Sequence, residues 1–117
     1  MNTQEEVIQF KIEKDAKGGM IGSGALASGQ VMEVIVNSNR NKDTYLQFQI
    51  KDANGVEISK MQHIGNYEMR NAANYYQCGK PLFFNPNNRT IYLYFNCPDG
   101  ATEDIIGEAT FVYECQN

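Results

Sequence analysis

Residues able to do chemistry are sparse in this sequence. It has one histidine, His63, and three cysteines, Cys78, Cys97 and Cys115. Nucleophilic catalysis needs a nucleophile, a base within hydrogen-bond reach and a group that orients the base. No G-x-S-x-G elbow accompanies His63, and none of the cysteines stands in a recognisable nucleophile frame. Asp99, Glu103 and Asp104 form an acidic loop that could hold a cation or act as paired carboxylates. Beside Pro98 and Gly100 they read more simply as turn residues facing water. Asp52, Asn54 and Glu57 also carry oxygen ligands. The spacing of a calcium loop is missing, however, and Asp52-Ala-Asn-Gly55 between two strand-like runs is ordinary hairpin chemistry. Zinc would need the cysteines and His63, whose spacing matches no zinc finger. The expectation is a protein with no enzymatic activity, no cofactor and no metal.

Two further patterns have a plain structural reading. Gly22-Ser-Gly24-Ala-Leu-Ala27 spells a loose dinucleotide fingerprint. No βαβ unit surrounds it, so a phosphate would find no helix N-terminus. The glycine-rich stretch 17–29 instead reads as a bulged or flexible connection, with room for a short strand at 20–26 and glycines set for close backbone approach. The cysteines form no C-x-x-C pair and are odd in number. If 90–97 and 105–114 pair as a hairpin, Cys97 and Cys115 stand at opposite ends, beyond the roughly 7 Å a disulfide spans. Reduced, partly buried thiols are expected.

Binding chemistry is better represented. Asparagine is abundant, with thirteen positions, and the stretch 62–80 concentrates Tyr67, Asn71, Asn74, Tyr75 and Tyr76. A loop carried on a rigid scaffold is where recognition commonly sits, so these five are a candidate ligand-binding set. The competing reading is an ordinary crossover, with a short helix over 68–76 and tyrosines packed beneath it. A second candidate is an open sheet face made by Tyr45, Gln47 and Gln49 with Tyr92 and Tyr94, provided their strands are neighbours. Flat rings beside amide donors and acceptors suit a sugar. The sequence has no tryptophan, often the main stacking residue.

The elements that must position these residues are strands. Ile8, Phe10 and Ile12 alternate with polar residues across 5–13. Leu46, Phe48 and Ile50 do so across 44–52, as do Ile91, Leu93, Phe95 and Cys97 in the run that ends at 97. Ile105, Gly107, Ala109, Phe111 and Tyr113 share a face of the last run. Period-2 alternation predicts strands with one face on a core, which a second layer must cover. Further strands are read at 30–37, 56–61 and 81–84, the last as an edge. The stretch 89–114 reads as a closing strand–loop–strand hairpin, with the first and last strands central. Seven to eight strands with turn signals every 8–12 residues predict an all-β fold: one antiparallel β-sandwich domain, jelly-roll or Greek-key, over residues 1–117.

Composition narrows the partners. A net charge of −4 with ten scattered lysines and arginines offers no basic footprint for nucleic acid. No apolar run approaches the roughly 18 residues that would cross a bilayer as a helix. The acidic, polar start lacks the basic and apolar regions of a signal peptide, so synthesis in the cytoplasm is expected.

Two functions fit. The first is a structural assembly protein, packing on copies of itself or on a larger protein lattice. Phage minor capsid, penton and decoration proteins resemble it in size, acidity and architecture, which would place the protein in a virion. Its interface would be the apolar outer-face residues Val31, Ile35, Ile106 and Val112. The alternative is a carbohydrate-binding module or lectin that uses the tyrosine and amide sets above to hold a glycan.

Overall fold

The computed structural model describes residues 5–41, 43–68 and 79–114. Its strands are β1 (Glu5–Ile12), β2 (Gly18–Ala25), β3 (Val31–Ser38), β4 (Gln47–Lys51), β5 (Glu57–His63), β6 (Lys80–Phe84), β7 (Thr90–Asn96) and β8 (Ile105–Tyr113). Among the described residues the only helical piece is a single 3₁₀ turn, Ile64–Asn66. None of it is a helix long and apolar enough to cross a membrane. Two four-stranded sheets result, the first in the order β1-β8-β3-β6 and the second in the order β2-β7-β4-β5.

The pairing explains that order. β4 pairs with β5, β3 with β6, β2 with β7 and β1 with β8, all antiparallel. These pairs nest like the rungs of one long ribbon. Its tip is the β4–β5 turn, where the Asp52 carboxylate accepts from the N–H groups of Asn54 and Val56, both at 2.9 Å. Gly55 supplies the left-handed residue of that turn, with φ at 80°. Rolling the ribbon sets β8 beside β3 and β7 beside β4. That is jelly-roll wiring.

The stretch 89–114 is therefore not a hairpin. β7 belongs to the second sheet and β8 to the first, and the loop between them passes from one sheet to the other. Alternation fixes which face a strand buries, and it leaves the pairing partner open. The loop is held by its neighbour at the same end of the sandwich. Cys97 N–H donates to Lys17 O at 2.7 Å, and Asp15 N–H donates to Ala101 O at 2.7 Å. β8 is central as expected, whereas β1 is an edge strand.

The core is the expected one along most strands. Ile8, Phe10, Ile12, Leu46, Phe48, Ile50, Ile91, Leu93, Phe95, Ile105, Ala109 and Phe111 are all buried in a single cluster. The glycine-rich stretch contains the expected strand, longer than read, at Gly18–Ala25, with a register shift between Met20 and Gly22 where a bulge was expected. A Cβ on Gly22 would sit 2.6 Å from Gln9 O, and one on Gly24 would meet Ile8 Cγ1 at 3.2 Å. Small residues there let β2 press against β1 of the other sheet.

β3 departs from its expected parity. Its register shifts between Val31 and Glu33 against both neighbours. Met32 is the extra residue of a bulge, and one inserted residue reverses the face of what precedes it. Val31 consequently turns into the core instead of outward. Beyond β6, Tyr67 and Glu68 run alongside the second half of β3, where Val36 N–H donates to Tyr67 O at 2.8 Å. Arg40 clamps this segment through Nε and Nη2 to the two Glu68 oxygens, at 3.0 and 2.7 Å.

Candidate functional site

The second sheet brings its expected residues together. β4 and β7 are neighbours, and the register places Gln47 opposite Asn96, Gln49 opposite Tyr94 and Lys51 opposite Tyr92. Met20 and Ser23 of β2 extend the Tyr94 and Tyr92 rows. The polar groups on this face already serve one another. Asn96 Nδ2 donates to Gln47 Oε1 at 2.9 Å, and Gln49 Nε2 donates to Glu57 Oε2 at 2.6 Å. The Lys51 ammonium stands 4.8 Å from the Tyr94 ring centroid, a cation–π contact. Tyr92 and Tyr94 are half-buried, and Gln49 is buried. Tyr45 lies just before β4 and is exposed, with its ring against His63 at 5.6 Å. His63 has a local structural task, since its Nδ1 accepts from Gly65 N–H at 2.9 Å and caps the 3₁₀ turn.

The loop candidate does not survive for Tyr67. That side chain is fully buried, edge-on to Phe48 with ring centroids 5.0 Å apart. Its hydroxyl pairs with the Ser59 hydroxyl and lies 3.3 Å from Phe48 O. Burial pushes its phenol pKa up. The sequence stretch around it is polar, so no alternation signals the burial. Asn71, Asn74, Tyr75 and Tyr76 lie outside the described residues, as do Cys78 and Cys115. Cys97 is a free, buried thiol whose S–H donates to Tyr45 O at 3.3 Å. Burial, with Asp99 nearby, raises its pKa and keeps it protonated. In the acidic loop, Asp104 Oδ1 accepts from Lys14 N–H at 2.9 Å. Among the described residues no group of three or more His, Cys, Asp or Glu is placed to hold a metal ion.

The first sheet's outer face carries exposed apolar residues, although its members differ from those expected. Val31 is in the core. Ile35 and Val112 do face outward, yet both are buried, and a Cβ on Gly79 would come within 2.6 Å of Ile35 Cγ1. Of the four expected interface residues only Ile106 is exposed, at 59%. Two residues that sequence reasoning missed join it. Val7 stands opposite Thr110, itself opposite Ile35, and is half exposed. Phe83 on edge strand β6 is 67% exposed. The signal for Phe83 was the pair Phe83-Phe84, since adjacent strand residues must point to opposite faces. Phe84 takes the core side, 6.2 Å from the Phe111 ring, and Phe83 the outside.

Glu33 is the other unforeseen feature of this face. It stands between Val112 on one side and Pro81 on the other. Only 4% of it is exposed, and its Oε1 has no hydrogen-bond partner among the described residues. Burial raises its pKa, while a hydrogen bond from the Gly79 backbone pulls the other way. Glu33 lines a depression of about 310 Å³ together with Met32, Pro81, Phe83, Val112 and Glu114.

Comparison with protein-family models finds no match, and comparison with curated protein sequences finds none either.

Proposed function

We propose that the protein is a non-enzymatic assembly component that works through protein–protein contacts on the outer face of its first sheet. The observation that carries this is the exposure of Phe83, Ile106 and Val7 on that single face, with Phe83 also walling a depression together with Met32, Pro81 and Val112. Exposed large apolar residues gathered on one face are characteristic of surfaces that another molecule covers. The partner is a second copy or a larger protein lattice. Jelly-roll architecture, small size and an acidic surface suit a minor capsid, penton or decoration protein of a phage, made in the cytoplasm and carried in the virion. That last step is an analogy of fold. The test is native mass by light scattering over a range of concentrations, with Phe83→Asp and Ile106→Lys beside the natural chain. Oligomers that either substitution dissolves support the reading. Oligomers indifferent to both overturn this face as the interface.

A second reading has its own observation. Tyr92, Tyr94, Gln47 and Gln49 share one face, as glycan binding requires. In that case Tyr92→Ala weakens binding in a sugar screen while leaving the melting temperature nearly unchanged. Unaltered affinity removes the site.

A further inference from the structure

We propose that the depression beside Glu33 receives the cationic head of a lysine or arginine side chain supplied by the protein partner. The inference rests on the assembly reading above and names what that partner must carry.

A buried carboxylate with an unused acceptor is costly, because water has been removed and nothing replaces it. Glu33 Oε1 is in that condition, with the residue 4% exposed on the outward side of β3. Its neighbours across the sheet, Val112 and Pro81, offer it no side-chain donor. An ammonium or guanidinium group offsets both deficits at once, giving the carboxylate a counter-charge and the orphan acceptor a charge-assisted hydrogen bond. The terminal torsion of a glutamate is soft, so Oε1 can rotate toward the depression without leaving a rotamer well.

The walls select what comes attached to that cation. Met32, Pro81, Phe83 and Val112 present apolar surface, while Glu114 adds a second carboxylate. A methylene stem packs on such walls while its charged head reaches a polar end, which is how lysine and arginine cover apolar ground. The volume of about 310 Å³ lies at the small end of ligand pockets, which span about 300–1,000 Å³. That is room for one side chain. A purely apolar plug would leave Oε1 unpaired, and an acidic one would be repelled. The described part of the chain does not fill the role itself. Lys80 on β6 is turned to the Tyr67 ring, 5.8 Å away, Lys11 lies by Asp104, and Arg40 is engaged with Glu68.

The test uses n-butylammonium and n-butylguanidinium as probes of the natural chain, followed by amide chemical shifts, with 1-butanol as the neutral control. The expected result is shifts centred on Met32, Phe83 and Val112, with the cations binding about ten-fold or more tightly than butanol. Glu33→Gln should erase that preference and keep the fold, and Glu33→Leu serves as a second variant with no polar group to strand. Equal binding of butanol, shifts centred elsewhere, or a preference that persists in Glu33→Gln overturns the proposal. The two readings fail separately. No cation preference, with a native mass that still depends on Phe83, removes this inference and keeps the assembly reading. Glu33-dependent cation binding, in a chain whose mass is indifferent to concentration and to Phe83, removes self-assembly and leaves a free amine as the ligand.

Discussion

On the outer face of the second sheet, Asn96 donates to Gln47, Gln49 donates to Glu57, and the Lys51 ammonium rests over Tyr94. On the outer face of the first, Phe83 projects into solvent and Glu33 holds a buried oxygen with no partner among the described residues. Both sheets have four strands, and both close the same core. The contrast therefore lies in the outward residues and not in the wiring. A face whose polar groups satisfy one another loses little by staying in water. A face with an exposed ring, exposed aliphatic side chains and an unsatisfied carboxylate gains when something covers it, because apolar area leaves water and the orphan finds a donor. That asymmetry is the physical reason for placing the protein contact on the first sheet.

The largest effect should come from charging that face. Phe83→Asp is expected to reduce any oligomer to single chains while moving stability by no more than about 0.5 kcal/mol, the usual range for an exposed position. Tyr92→Asp on the opposite face should leave the native mass unchanged. Equal loss from both substitutions would erase the distinction between the faces.

Next in size is the clamp at the edge of the first sheet. Arg40 is nearly buried and meets both oxygens of Glu68, which is only partly exposed. Breaking a fully buried pair costs about 3–5 kcal/mol. With one partner partly in water, Arg40→Ala is expected to cost about 2 kcal/mol, read as a lower urea midpoint. Because Tyr67 and Glu68 lie alongside β3, loss of the clamp should also weaken assembly if the first face is the working one. A midpoint that does not move would mean that the segment beside Val36 is held by other contacts.

Glu33 gives a smaller effect with a definite pH dependence. Its folded pKa is raised by burial, above the ordinary glutamate value of about 4.3. Between those two values the folded state holds the proton more tightly than the unfolded state, so stability falls as pH rises. The contribution is fully present below the unfolded value and is lost as pH rises through the folded one. Glu33→Leu lacks this loss and has no orphan acceptor. It should be more stable than the natural chain by about 1 kcal/mol at pH 7, with the gap closing toward pH 4. A gap independent of pH would show that Glu33 is not charged at a cost in the folded protein.

How much of this was legible in the sequence follows from what alternation encodes. The inward sets of β1, β4, β7 and β8 could be read directly, because each strand keeps period 2 without interruption. The partners of β7 and β8 could not, since an apolar face matches either sheet equally well. The parity of Val31 was lost to a single inserted residue, Met32, which leaves no mark in composition. Tyr67 sits in a polar stretch, and its burial depends on Ser59 and Phe48, both far away in any local pattern. The tyrosine and amide face was legible because it needs only strand parity and one neighbour relation. The Glu33 depression was not, because it needs a bulge, two flanking strands and the end of β8 together.

The smallest effect tests whether the second face is really closed on itself. Lys51 and Tyr94 are half-buried and in cation–π contact at 4.8 Å. At such a site the coupling is worth about 0.5–1 kcal/mol. A double-mutant cycle with Lys51→Met and Tyr94→Leu isolates it, since each change removes the interaction while keeping bulk on the sheet. Coupling in that range, with unaltered native mass in all three variants, fits a solvated face that needs no partner. Zero coupling would free both the ammonium and the ring face for an outside ligand. The Tyr92–Tyr94 surface would then be the open one, and the preference for the first sheet would lose half its basis.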